Sequence, residues 1–91
     1  MAQTTILAAN TTAATSSDVA VTAGSTISIG VFSAAMLPGG VCASLLMDTP
    51  SGDVVVHQFT RARPAVAVTG PGTYRVVRPA GSVSLGAFSE T

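Results

Sequence analysis

Gly70-Pro71-Gly72-Thr73-Tyr74-Arg75-Val76-Val77-Arg78-Pro79 is the stretch that decides the fold. Gly70, Pro71 and Gly72 form a structural turn, because Pro71 presets its own φ and either glycine can take φ > 0 at no steric cost. Residues 73–77 are β-branched or aromatic apart from Arg75, so a strand follows. Its two-residue period places Tyr74 and Val76 on one face and Thr73, Arg75 and Val77 on the other. Pro79 has no N–H to give to a ladder and ends the strand. A tight turn that feeds a half-buried strand led by a tyrosine is the corner of an antiparallel sandwich.

Outward from this corner, residues 65–69 form a short strand with Val66 and Val68 on one side. Residues 26–33 give the cleanest alternation in the chain, with Ile27, Ile29 and Val31 inward, and residues 18–23 alternate on Val19 and Val21. Residues 41–48 and 54–60 make a hairpin around the four-residue loop Thr49-Pro50-Ser51-Gly52, a type I turn with Gly52 left-handed. Residues 36–40 are an apolar-to-turn junction, residues 61–64 a break, and Ala80-Gly81 a turn before a strand at 82–88. At the N-terminus, residues 4–9 form a short strand. Residues 8–17 read as an arm, since Thr, Ser and Asn interrupt the helix preference of alanine and no apolar stripe recurs. Seven to eight short strands without a helix signal define an all-β fold, a single small antiparallel β-sandwich or barrel. Residues 1–17 are its N-terminal strand and arm, and residues 18–91 the β-sandwich domain.

One pattern occurs twice, as Ser28-Ile29-Gly30-Val31-Phe32-Ser33 and Ser84-Leu85-Gly86-Ala87-Phe88-Ser89. Strict alternation puts both phenylalanines on the serine face, away from Ile29, Val31, Leu85 and Ala87. Either a bulge at each glycine rotates the ring inward, or both rings leave the core and rest on a neighbour. Glycine inside a strand often marks a bulge, which is the reading adopted.

Only 9% of the 91 residues are charged, against about 25% in ordinary soluble domains. Four arginines balance four acidic residues and lysine is absent. Net charge therefore does not keep copies apart, and the residue most used to protect exposed sheet edges is missing. Such a chain is made to be covered by neighbours. No basic residue precedes Arg61, so a signal n-region is lacking and Met1 is expected to begin the mature protein. Apolar runs are a few residues long, too short for a membrane span. The single Cys42 excludes an internal disulfide and fits synthesis in a reducing cytosol.

Residues that could carry chemistry are few. His57 is the one side chain whose ordinary pKa lies near neutrality, yet no Gly-x-Ser-x-Gly elbow accompanies it, and a strand histidine at a face or interface is the simpler assignment. Asp48 and Asp53 bracket the hairpin loop without the oxygen-ligand spacing a calcium loop needs, so no metal is expected. Cys42 has no second cysteine near it and reads as a small buried hydrophobe. No catalytic residue and no cofactor is implied. Arg61, Arg63, Arg75 and Arg78 fall in the last third of the chain and suit carboxylate contacts across an interface. Without a basic excess or interleaved aromatics they do not point to nucleic acid.

The run Thr4-Thr5-Ile6-Leu7-Ala8-Ala9 with its arm into Asp18-Val19, the hairpin Asp48-Thr49-Pro50-Ser51-Gly52-Asp53, the stretch from Gly70 to Pro79 and the closing Leu85-Gly86-Ala87-Phe88 together resemble small β-sandwich structural proteins of tailed bacteriophage virions. The similarity is diffuse and spans nearly the whole chain. It implies a non-enzymatic virion protein made in the host cytoplasm, a capsid decoration or cement protein that oligomerises, trimers being common in that group, and binds a major capsid or other virion protein. Arg61, Arg63, Arg75, Arg78, Phe32 and Phe88 are the expected contact residues. The alternative is a tail or fibre module that binds a receptor or carbohydrate, although the chain has no tryptophan and only four aromatic residues to stack on sugars. A small hydrolase built on His57 is a third, remote possibility.

Overall fold

The period-two patterning becomes nine strands in the computed structural model, which describes residues 3–37, 40–81 and 83–91. They are β1 (Gln3–Asn10), β2 (Ala14–Thr15), β3 (Val19–Val21), β4 (Thr26–Phe32), β5 (Ala43–Thr49), β6 (Gly52–Phe59), β7 (Ala65–Thr69), β8 (Gly72–Arg78) and β9 (Leu85–Glu90), with no helix among the described residues. One sheet has the order β1-β9-β4-β7 and the other β2-β8-β5-β6, with β3 also on β8. All pairings between these strands are antiparallel. The protein is a small β-sandwich.

Inward residues of both sheets meet in one core. Ile29, Val31, Val68, Leu85 and Ala87 come from the first sheet, and Val19, Val21, Ala43, Leu45, Phe59, Tyr74 and Val76 from the second. Phe59, Ile29, Leu45 and Val76 are its largest sealed side chains, and burying each one stabilises the fold by about 1.5–3 kcal/mol relative to leaving it in water. The inward assignment of Ile29 and Val31 on β4 and of Tyr74 and Val76 on β8 agrees with the alternation in the sequence.

Residues 8–17 are more ordered than an arm. After β1 the chain crosses from one sheet to the other, and Ala14 and Thr15 pair with Arg78 and Val77 of β8. Ser16 completes the crossing: its N–H donates to the Val76 carbonyl at 2.8 Å, and its buried Oγ accepts from the Val76 N–H at 2.8 Å. Side-chain and backbone bonds thus replace the apolar stripe the segment lacks. This short pairing raises the strand number to nine.

The Gly70–Gly72 turn differs from expectation in its conformation. The Gly70–Pro71 peptide is cis, and positive φ occurs at Gly24 and Gly52, not at Gly70 or Gly72. Gly70 is needed for closeness instead, because a Cβ there would collide with the backbone carbonyl of Thr22. Tyr74 spans the turn, donating its hydroxyl to the Thr69 carbonyl at 2.9 Å, as a tyrosine corner does. At the hairpin, Gly52 has φ 103°, while Thr49 and Gly52 are already paired, so the loop is only Pro50-Ser51. The expected junction at 36–40 and the strand expected from 82 fall in part on Pro38, Gly39 and Ser82, outside the described residues, as are Met1 and Ala2.

The repeated pattern resolves against the bulge. From Ser28↔Glu90 to Phe32↔Gly86 the β4–β9 register is unbroken, and the register shifts lie in β1 and β6. Both phenylalanines point away from the core. Gly30 pairs with Phe88 and Gly86 with Phe32, so each ring covers the glycine of the other strand. A Cβ on Gly30 would lie 2.7 Å from the Phe88 ring and 3.0 Å from the Ala65 side chain, and one on Gly86 would meet the Phe32 ring and, at 2.8 Å, the Leu7 carbonyl. These glycines exist to seat the rings.

This difference in neighbours separates two substitutions. Gly30→Ala and Gly86→Ala are each expected to lower unfolding free energy by about 1–3 kcal/mol through overpacking. Phe88→Leu should relieve most of the Gly30→Ala penalty, since only side chains obstruct it. Phe32→Leu should relieve little of the Gly86→Ala penalty, because the Leu7 backbone stays in place. Denaturant titration of the four single variants and the two double variants measures both couplings, and equal relief at the two sites would contradict this account.

Candidate interaction surfaces

The four arginines take three different roles. Arg61 and Arg63 are exposed in the β6–β7 loop, which closes on itself through reciprocal Thr60 and Arg63 backbone bonds of 3.1–3.2 Å. Neither forms an ion pair among the described residues, and Arg61 Nη1 approaches the sulfur of exposed Met36 at 3.5 Å. This end of the sandwich therefore presents two free cations beside an apolar side chain. Arg75 lies on the outer face of β8, bonded to Asp18 at 3.0 Å and to Asp53 on β6. Those two bonds push its pKa further above the ordinary guanidinium value. Asp48 stands directly opposite Asp53 in the β5–β6 register, so Arg75 also offsets the repulsion between these two carboxylates. Arg78 is not on the outside at all. It is 4% exposed and donates to three backbone carbonyls, so expecting it at a surface contact overlooked that β8 alternation turns it inward with Tyr74 and Val76.

Phe32 and Phe88 sit together on the outer face of the first sheet, their rings 6.4 Å apart and tilted by 45°. Phe32 is 38% exposed, while Phe88 is half-buried over Gly30. Shallow hollows flank them, one lined by Gln3 and Thr5, the other by Ala9, Ala34 and Ala35. Gly70, Pro71, Gly72 and Tyr74 serve the turn and the core rather than a surface.

A feature not singled out from the sequence lies on β6. Among the described residues this strand pairs with β5 alone, and its other edge has no partner strand. Val54, Val55 and Val56 on it are 43%, 55% and 46% exposed. Three β-branched residues in succession, without polar alternation, were the available signal; in a half-buried strand one face should be polar. Val54 and Val55, in regular register with Met47 and Leu46, fall on opposite faces of the edge by strand alternation, and the bulge adds Val56 between Val55 and His57.

Beside this edge, β6 and β7 leave a cleft between the sheets that is lined by Met47, Val56, His57, Val66 and Thr69. His57 is half-buried there, its ring edge-on to Phe59 at 4.9 Å, and its buried Nε2 has no hydrogen-bond partner among the described residues. No serine or carboxylate is bonded to it among the described residues. Among those residues, too, no three His, Cys, Asp or Glu side chains come together as a metal site, and no helix is long and apolar enough to cross a membrane. Cys42 is buried, its Sγ donating to the Phe59 carbonyl at 3.2 Å, and burial pushes its pKa up from 9.0.

No family model and no curated protein matches this chain. Among solved structures, the nucleoplasmin-like N-terminal domain of Drosophila FKBP39 is similar over 92% of this chain and 87% of its own, with 17% identity and a TM-score of 0.33. A likeness at that level carries no functional weight.

One substitution and one labelling experiment check the interior polar groups. His57→Leu should leave the midpoint of thermal unfolding unchanged or raise it, since it removes a sealed, unsatisfied nitrogen that costs about 1–3 kcal/mol; a large fall would show that the imidazole makes a bond in solution. Cys42, held as a thiol, should react with a disulfide reagent at pH 8 only as fast as the fold opens. Because its folded pKa is raised, the stability it contributes is complete below the unfolded value and is lost as pH rises through the folded one. Labelling as fast as that of unfolded chain would contradict the buried thiol.

Proposed function

We propose that this protein is a structural component of a virion, a head decoration or cement protein that associates with its own copies and adheres to the capsid shell. The open β6 edge with Val54, Val55 and Val56 exposed is the observation that carries it. An edge strand that offers unpaired backbone groups and apolar side chains is a template for another chain, and here it has neither lysine nor proline to discourage pairing. Association along β6 extends the second sheet and removes these valines from water. The free Arg61 and Arg63 beside Met36, with Phe32 and Phe88 on the adjoining sheet, are then available to a capsid surface that presents carboxylates and apolar hollows. Binding to the assembled shell stabilises it by mass action.

The expected outcome is a mass in solution that grows with concentration toward a closed oligomer, measured by light scattering after gel filtration. Val55→Lys should shift this to monomer while leaving the circular dichroism spectrum intact. Arg61→Glu with Arg63→Glu should spare self-association and reduce co-sedimentation with emptied phage heads by about tenfold or more, the size of an effect near 1.4 kcal/mol. A chain that stays monomeric at millimolar concentration and sediments with neither heads nor tails would exclude the proposal, and co-sedimentation with tails alone would move it to the tail or fibre.

A further inference from the structure

Arg78 ends β8 on its inward face, at a place where a cation has no carboxylate to meet. Of the four acidic side chains, Asp18 and Asp53 are bonded to Arg75, Glu90 accepts from Gln3 Nε2 at 3.1 Å, and Asp48 stands at the exposed hairpin. None forms an ion pair with Arg78. Its Nε donates to the Thr12 carbonyl at 2.6 Å and its Nη1 to the carbonyls of Ala8 and Leu85, both at 2.7 Å. Those bonds use three of the five guanidinium N–H groups. Nη2 has no acceptor among the described residues. A buried cation surrounded only by neutral dipoles keeps its full charge and much of its desolvation cost.

Arg78 also lines a half-open cavity of about 100 Å³, whose other walls include Val41, Cys42, Pro79, Ala80 and Val83. Cys42 supplies no counter-charge, since its thiol is protonated and turned to the Phe59 carbonyl. The remaining walls are apolar. A pocket of that size admits a carboxylate on a short stem and is smaller than the several hundred Å³ of a site that buries a larger ligand.

We propose that the Arg78 cavity is a receptor for a single carboxylate group carried on a short apolar stem, the anion completing the charge balance of the buried guanidinium. One cation matches one negative charge, and Arg donates to carboxylates with short, charge-assisted bonds. Aliphatic walls beside a cation favour an acid with an apolar stem over an inorganic anion, which has nothing to place against them. A free short-chain acid and the acidic side chain or terminus of a docked peptide offer the same chemistry.

Nuclear magnetic resonance of the intact protein distinguishes the outcomes. Sodium propionate should shift the Arg78 Nε–Hε signal and the Ala80 and Gly81 amides along one saturable curve, while propionamide, equal in shape and uncharged, should not. A peptide with a single glutamate, blocked at both ends, reproducing the shifts assigns the source to a docked chain; shifts with propionate alone assign it to a free acid. Since Arg78→Met removes three backbone bonds and can unfold the protein, the decisive variant is Val83→Phe, which fills the cavity and leaves the guanidinium in place. It should weaken propionate binding by about tenfold or more. Equal shifts with propionate and propionamide, no saturation, or unaltered binding by folded Val83→Phe would overturn the assignment.

Discussion

Carbonyl oxygens from three separate segments converge on one guanidinium, and the way the chain passes between its two sheets depends on that convergence. Ala8 belongs to β1, Thr12 to the crossing and Leu85 to β9, while Arg78 itself ends β8. The crossing is short of apolar side chains and has only two residues in β2, so its backbone groups must find partners elsewhere. Arg78 and Ser16 provide them. With the crossing fixed, β1 lies along β9 in the first sheet while β2 and β3 take one edge of β8 in the second. Core alternation on β8 then follows without a break from Tyr74 through Val76 to Arg78.

The two sides of the sandwich are consequently unlike. Where the chain crosses, polar groups are satisfied by internal bonds, and Arg75 joins Asp18 to Asp53 across the outer face of the second sheet. At β6 and β7 the chain passes between the sheets at one end only, through residues 60–64. Valines remain exposed there and an imidazole nitrogen remains without a partner. A chain with so few charged residues has committed half of its arginines to holding itself together, so the two left over, Arg61 and Arg63, become conspicuous at one end.

Backbone periodicity made the strands legible, and with them the core: Ile29, Val31, Tyr74 and Val76 each lie on the face that alternation assigns. What sequence could not supply was the cause behind a glycine. Gly30 and Gly86 carry the same signal as bulge glycines, and only the pairing of β4 with β9 shows that each makes room for the ring opposite. Gly70 likewise looks like a turn residue freed for positive φ, whereas its need comes from the Thr22 carbonyl, far away in sequence but adjacent in space. Arg78 was misplaced for a related reason. Its position on the Tyr74 face was readable, but charge suggested water, and two of the three carbonyls that receive it, those of Ala8 and Thr12, come from the other end of the chain.

The reciprocal seating of Phe32 on Gly86 and Phe88 on Gly30 also fixes which residues of the two strands can be neighbours. Sliding β9 by two positions along β4 would keep every inward side chain inward, so the core alone does not forbid it. The same slide would set Phe32 opposite Phe88 and Gly30 opposite Glu90, crowding two rings at one step and leaving an empty notch at another. Size complementarity on the solvent side thus acts as a vernier, selecting one alignment among several that hydrophobic burial would accept.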